Sequence, residues 1–194
     1  MEITFLGTGT STGVPEIGCQ CEVCTSTDKR DWRLRTSVLV ETDGKRILLD
    51  CGPDFRWQVI KNRTYQLDAV LISHEHYDHV GGLDDLRPFC REKGVDIFAE
   101  DNVAEAIETR MPYAFRAHRY PGVPNLELHR ITDQPFMAAG LPVMPIRVMH
   151  GKLPIFGYRI GNMAYITDVK YLPEEEYAKL EGCLLYTSPS PRDS

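Results

Sequence analysis

The sequence predicts a layered α/β domain built around paired sheets, and three observations predict it. Strand-like runs open the chain, helix-like runs fill its middle, and strand-like runs return before a closing helix. "LDAVLIS" (Leu67–Ser73) is apolar almost throughout, as a strand buried on both faces would be. Finally, 42% of the 194 residues are hydrophobic and 26% charged, enough apolar matter for one sizeable core.

Each element follows from local pattern. "EITFLGT" (Glu2–Thr8) is a strand that enters the glycine-rich turn "GTGTSTG". Thr36–Asp43 and Lys45–Gly52 are β-rich runs joined at Asp43-Gly44, a strong hairpin signal. Pro53 to about Asn62 is helical, with its proline in the first turn, where the missing N–H costs nothing. After Leu67–Ser73, helices are expected from Gly82 to about Lys93 and from Asn102 to about Met111. Beyond Tyr120 the runs "LELHRIT", "LPVMPIRVM", "IFGYRI" and "MAYITDV" read as strands. Pro173–Gly182 opens on proline and three glutamates and closes on glycine, which is helix punctuation.

The bulk numbers exclude some classes. A net charge of −6 does not favour a broad nucleic-acid surface. No apolar run approaches the length of a membrane span. "MEITFLGTG" has neither the basic n-region nor the long apolar h-region of a secretory signal, so a cytoplasmic location is expected. Three of the six cysteines, Cys19, Cys21 and Cys24, fall within six residues. In a reducing compartment that crowding reads as metal ligation rather than disulfide bonding. Three thiolates can share a tetrahedral zinc and pin a loop that has little structure of its own. Cys51, in a strand, and Cys90, in a helix, read as small core residues.

The densest signal is "SHEHYDHVGG" (Ser73–Gly82), which follows the buried strand directly. His74, His76, Asp78 and His79 would repel one another when charged and would be expensive to bury unpaired. A divalent cation removes both costs, and imidazole with carboxylate suits Zn²⁺, Mn²⁺ or Fe²⁺. The glycines that follow permit tight turning beside a crowded site. "GTGTSTG" lacks the Gly-Lys-Ser/Thr ending of a nucleotide P-loop, so it reads as a tight turn near the site.

With that motif the sequence resembles the metallo-β-lactamase superfamily of hydrolases. The resemblance implies a four-layer αβ/βα sandwich with two divalent metals, Zn or Mn, between the sheets. It places His74 and His76 on one metal, Asp78 and His79 on the second, His150 from "RVMHGK" on the first, and Asp168 from "YITDV" as a bridge. His118 and His129 match nothing in that pattern and read as surface residues. "FLGTGTSTGVPEIGCQCEVC", "RLRTSVLVE" and "HGKLPIFGYRI" resemble one branch in particular, the phosphoribosyl cyclic phosphodiesterase-like enzymes. That branch implies a structural zinc on Cys19, Cys21 and Cys24, completed by a distant histidine.

The implied activity is metal-dependent hydrolysis of a small cyclic phosphodiester by a metal-bridging hydroxide, with Asp78 and Asp168 as the catalytic carboxylates. The implied partners are that small substrate and, as an open arrangement, a second copy in a homodimer. Two alternatives stand beside it. A tRNA 3′-processing endonuclease shares "FLGTG" and the metal motif. A metal-binding but inactive fragment follows if ligands are lacking, because no histidine follows His150. The resemblance covers about residues 2–182. The expected organisation is therefore a truncated hydrolase domain over 1–183, its second half incomplete. A non-native or disordered tail would occupy 184–194, since "SPSPRDS" has no periodicity for a core strand.

Overall fold

The computed structural model describes residues 1–91, 93–116, 118 and 120–187. Strands β1 (Glu2–Gly7), β2 (Ser37–Thr42), β3 (Lys45–Leu49), β4 (Ala69–Leu71), β5 (Val95–Glu100) and β6 (Leu126–Ile131) form one sheet, in that spatial order. The β1–β2 and β2–β3 pairs are antiparallel, and β3 to β6 run parallel. The second sheet orders β11 (Leu185–Thr187), β10 (Met163–Tyr165), β9 (Leu153–Ile160), β8 (Leu141–His150) and β7 (Phe136–Ala138), with only the β10–β11 pair parallel.

Side-chain alternation then assigns the layers. In β2, Val38 and Val40 face the second sheet while Leu39 faces the helices; in β3, Ile47 and Leu49 face inward and Leu48 outward. The inter-sheet core is completed by Phe156, Tyr158, Ile160 and Tyr165. On the outer face of the first sheet, Leu39, Leu48 and Ile97 pack against α1 (Phe55–Lys61) and α3 (Asp101–Arg110) through Phe55, Val103 and Ile107. On the outer face of the second, Ile146, Val148 and Ile155 pack against Leu180 of the 3₁₀ segment Glu174–Leu180. The four layers expected from the resemblance are therefore present, the last of them thin.

Several expectations shift on contact with the structure. Gly82–Lys93 contains a 3₁₀ segment, Leu83–Cys90, with Pro88 inside it. A proline there removes an α-helical hydrogen bond and crowds the preceding turn. The closing helix is likewise 3₁₀. Leu185–Thr187 falls within the stretch expected as tail, yet it adds a parallel edge strand beside β10. The "SPSPRDS" stretch lies outside the described residues. No helix among the described residues is long and apolar enough to cross a membrane.

Arg147 joins the two halves. Its guanidinium donates to both carboxylate oxygens of Glu100 at the end of β5, at 2.8 and 2.7 Å, and lies 3.8 Å over the Phe156 ring. A bidentate pair on an aromatic face fixes orientation as well as charge. It anchors β8 to β5 three residues before His150.

Candidate metal centre

Every predicted ligand of the histidine motif comes from a strand end on one rim of the sandwich. Ser73 to His76 leave β4, and α2 (Tyr77–Val80) carries Asp78 and His79. His150 ends β8, and Asp168 lies just beyond β10. Two glycines let these pieces close. A Cβ on Gly52 would sit 2.0 Å from the Asp78 carbonyl oxygen, and one on Gly82 would sit 2.1 Å from that of Gly52. With hydrogen there instead, Cys51 N–H donates to the His79 carbonyl (2.8 Å) and Gly82 N–H to the Cys51 carbonyl (2.9 Å). From the other side, Lys170 N–H donates to the Met149 carbonyl (2.8 Å), which brings the Asp168 turn against the end of β8.

The ligand atoms converge in two overlapping groups. His74, His76 and His150 offer nitrogens within 4.8 Å of one another, and so do His74, His79 and an Asp168 oxygen. The His79 Nε2 lies 2.9 Å from Asp168 Oδ2 and 3.3 Å from Asp78 Oδ2. Asp78 therefore flanks the second group through His79, outside the two close groups that hold the other five.

A residue the motif does not announce organises the inner wall. Asp50, fully buried just past β3, accepts Ser73 N–H on Oδ1 (2.8 Å). On Oδ2 it accepts the Ser73 hydroxyl (2.8 Å), His79 Nδ1–H (2.7 Å) and the Tyr165 hydroxyl (2.7 Å). Because the Ser73 hydroxyl donates to Asp50, its oxygen accepts from His74 Nδ1–H, 3.0 Å away. That assigns the His74 tautomer and turns the Nε2 lone pair toward the centre. Asp50 and Asp168 both hold left-handed backbone, with φ of +60° and +51°. Aspartate tolerates that region better than most residues, and such conformations gather at functional sites.

Electrostatics follow from this packing. Burial, reinforced by the charge of His79, lowers His74 to about 3, so it is neutral at pH 7. For His79 burial also pushes downward, but the charge of Asp50 and hydrogen bonds to Asp168, Asp50 and Asp78 outweigh it, and the net shift is upward. Burial would raise Asp168, yet the His79 hydrogen bond and charge dominate and hold it at about 2. The same balance lowers Asp78. A cation entering at His79 must displace a proton, so its binding weakens as pH falls.

The residues suit a cation on their own terms. His74 Nε2 and His150 Nδ1 are buried and make no hydrogen bond, a costly state for a polar atom. Four imidazoles with the Asp168 carboxylate, and Asp78 beside His79, are the donor set of zinc and related divalent ions.

The cysteines form a separate group: the three sulfurs of Cys19, Cys21 and Cys24 lie within 4.8 Å of one another. Backbone N–H of Cys24 donates to the Cys21 sulfur (3.4 Å) and lowers the Cys21 thiol. The Glu16 N–H (3.4 Å) pulls Cys24 the same way, but burial and the neighbouring thiols raise it overall. Cys51 is buried and Cys90 donates to the Asn125 carbonyl (3.2 Å) in a half-buried position, as core-type residues do. His118 is exposed, and His129 is exposed and paired with Asp96 at 2.6 Å. Within "GTGTSTG", Gly13 N–H donates to the Thr10 carbonyl (2.9 Å), which makes it the expected tight turn.

A two-sheet sandwich carrying His-x-His-x-Asp-His on its rim defines a class of hydrolytic metalloenzymes. The model of the β-lactamase superfamily domain matches residues 45–189, and the chain belongs to that superfamily. Among solved structures it is similar to a diphosphatase of the PhnP family, at 36% identity and a TM-score of 0.86, over 95% of this chain and 72% of that one. Among curated proteins it is 54% identical over 187 residues to an octanoyltransferase of Porphyromonas gingivalis, covering 95% of this chain but 38% of that protein. It is 28% identical over 167 residues to ribonuclease Z of Thermosynechococcus vestitus, covering 82% of this chain and 36% of that protein. The chain thus spans little more than a third of these two curated relatives.

Proposed function

We propose that the chain carries a metal-dependent phosphodiesterase centre acting on small phosphodiesters or diphosphates. The observation that carries this reading is the convergence of His74, His76, His79, His150 and Asp168 on one rim, with Asp78 beside His79 and with two buried imidazole nitrogens that make no hydrogen bond. These six would hold divalent cations, which neutralise phosphate charge and lower the pKa of water toward neutrality. Asp50 and Ser73 fix the imidazole orientations, so little reorganisation is needed when substrate arrives. Asp168, ionised between His74 and His79, is placed to orient a nucleophilic water, and Asp78 completes the acidic side. The similarity to a PhnP-family diphosphatase supports phosphoester chemistry.

Octanoyl transfer, the named activity of the 54% identical relative, is assigned here to the part of that protein outside the match. The matched part is the superfamily domain, whose donors are those of a metallohydrolase. Cleavage of RNA, as the ribonuclease Z likeness would have it, is opposed by a net charge of −6. The test is turnover of bis(4-nitrophenyl) phosphate and small cyclic phosphodiesters beside a tRNA precursor and an octanoyl thioester. Expected is phosphodiester turnover that chelation abolishes and Zn²⁺ or Mn²⁺ restores. Turnover of the thioester or the tRNA alone would overturn the reading.

Two further expectations concern metal content. Cys19, Cys21 and Cys24 are proposed to hold a structural zinc. Cys21→Ser should release that zinc and speed proteolysis of the loop from about Gly18 to Asp28, while rim metal stays bound. Unchanged zinc content and cleavage rate would remove this site. At the rim, the group of three imidazoles should fill first when the metal-free chain is titrated with Zn²⁺. The group around His79 must release a proton and should fill later. Simultaneous filling of both groups would contradict this order.

A further inference from the structure

We propose that the hollow behind the metal loop is a subsite for the nucleoside part of a nucleoside phosphate whose phosphate is held at the rim. The inference rests on the phosphodiesterase reading and narrows its substrate class. The hollow has a volume of about 280 Å³ and lies between the metal loop, the start of the Leu83–Cys90 segment and the C-terminal end of α3. Its lining includes Tyr77, the neighbour of His76 and Asp78 in the metal loop, and Arg110, which is bonded to the Glu75 carbonyl of that loop.

The walls point to a planar ligand. Val80, Leu83 and Ile107 form an apolar floor. Two aromatic rings rise from it: Tyr77, 65% exposed, and Tyr113, 37% exposed. Large aromatic side chains left this open beside a cavity offer stacking faces for a base. Gly81 makes room for one of them, because a Cβ there would lie 2.8 Å from the Tyr77 ring.

Two polar groups, both already oriented, face the same space. Asp84 accepts the Tyr113 hydroxyl at 2.8 Å and Arg87 Nη2 at 2.7 and 2.5 Å. A carboxylate has about four acceptor positions, so these contacts leave capacity for the amino group of a base. Arg110 donates to the Glu75 carbonyl, between His74 and His76, which places its guanidinium beside the metal loop. Only one of its five donors is used there, and a phosphate would take others. At about 280 Å³ the volume lies just under the range of small-molecule sites, about 300–1,000 Å³, which suits a single nucleobase.

The test uses adenosine 5′-monophosphate, a monoester, and the full chain loaded with Zn²⁺, followed by amide chemical shifts. AMP should perturb residues 77–84 and 107–113, and ribose 5-phosphate, which lacks the ring, should bind at least about 10-fold more weakly, the size of one lost base stack. Tyr113→Ala should weaken AMP by a similar factor, while Tyr113→Phe, which keeps the ring, should stay within about 3-fold. Equal affinity for the two ligands would overturn the subsite on the unaltered chain, even if the alanine variant does not fold. So would the absence of perturbation there at about 10 mM AMP, beyond the millimolar range of weak ligands. AMP bound in the hollow of a chain that, metal-loaded, turns over no phosphodiester would support the subsite and overturn the hydrolase reading. Turnover without AMP binding would do the reverse.

Discussion

Replacing His76 with alanine is expected to abolish phosphodiester turnover and to cost about 100-fold or more in affinity at the imidazole group, since even an outer partner of a ligand is worth about 10–100-fold. The three rings of that group lie close: centroids are 4.6 Å apart for His74 and His76, 5.3 Å for His76 and His150, and 5.7 Å for His74 and His150. Removing one leaves two nitrogens, with the Asp168 carboxylate 3.4 Å from His74 Nε2 already shared with the His79 group. The cost to the fold should be small. His76 is exposed, and only its backbone carbonyl, which accepts from His79 N–H and which alanine keeps, joins it to the Asp50 network, so a stability change within about 0.5 kcal/mol is expected, as for a surface site. His79→Ala would confound the two effects, because His79 is buried against Asp50. Elemental analysis, zinc titration and melting of the metal-free variant separate ligand loss from unfolding. Unchanged metal stoichiometry and turnover would remove His76 from the ligand set.

The parts of this centre legible in the sequence are those with a spacing. His74, His76, Asp78 and His79 share one loop and follow from its spacing, whereas His150 and Asp168 are implied only by the family resemblance; five of the six fall in the two close groups, and Asp78 lies 3.3 Å from His79 Nε2. Long patterned elements also read correctly. The Asp43-Gly44 turn has the two positive φ values, +51° and +72°, that such a hairpin needs. The misses have physical causes. β5 follows the Leu83–Cys90 segment closely, and its Val95, Ile97, Phe98 and Ala99 break the alternation, because a parallel strand buried on both faces needs none. β7 has three residues, too few for a period. Asp50 is a single carboxylate at a strand end. Its partners come from positions 73, 79 and 165, and only the folded chain brings them together.

Asp50→Asn is the second large effect expected, and it should act on the fold and the metal together. The backbone is not the reason, since asparagine accepts φ near +60° as readily as aspartate. The reason is the pattern of donors. Asp50 Oδ2 accepts from Ser73 Oγ, His79 Nδ1 and Tyr165, and Oδ1 accepts from Ser73 N–H. An amide has one acceptor and one donor end. Whichever way it turns, an NH₂ faces at least one N–H or O–H inside a site that admits no solvent, and His79 loses the carboxylate opposite its imidazolium. Breaking a buried charge pair by removing one partner costs about 3–5 kcal/mol. The metal-free variant should therefore unfold at a distinctly lower denaturant concentration. Zinc affinity at the His79 group should fall by about 10–100-fold, because the imidazole is no longer held in one tautomer and orientation. Tyr165→Phe provides the scale: it removes one donor from Oδ2 and keeps the ring, so it should cost about 1 kcal/mol. An Asp50→Asn chain with an unshifted denaturation midpoint and full zinc affinity would show that His74 and His79 are oriented by something other than this carboxylate.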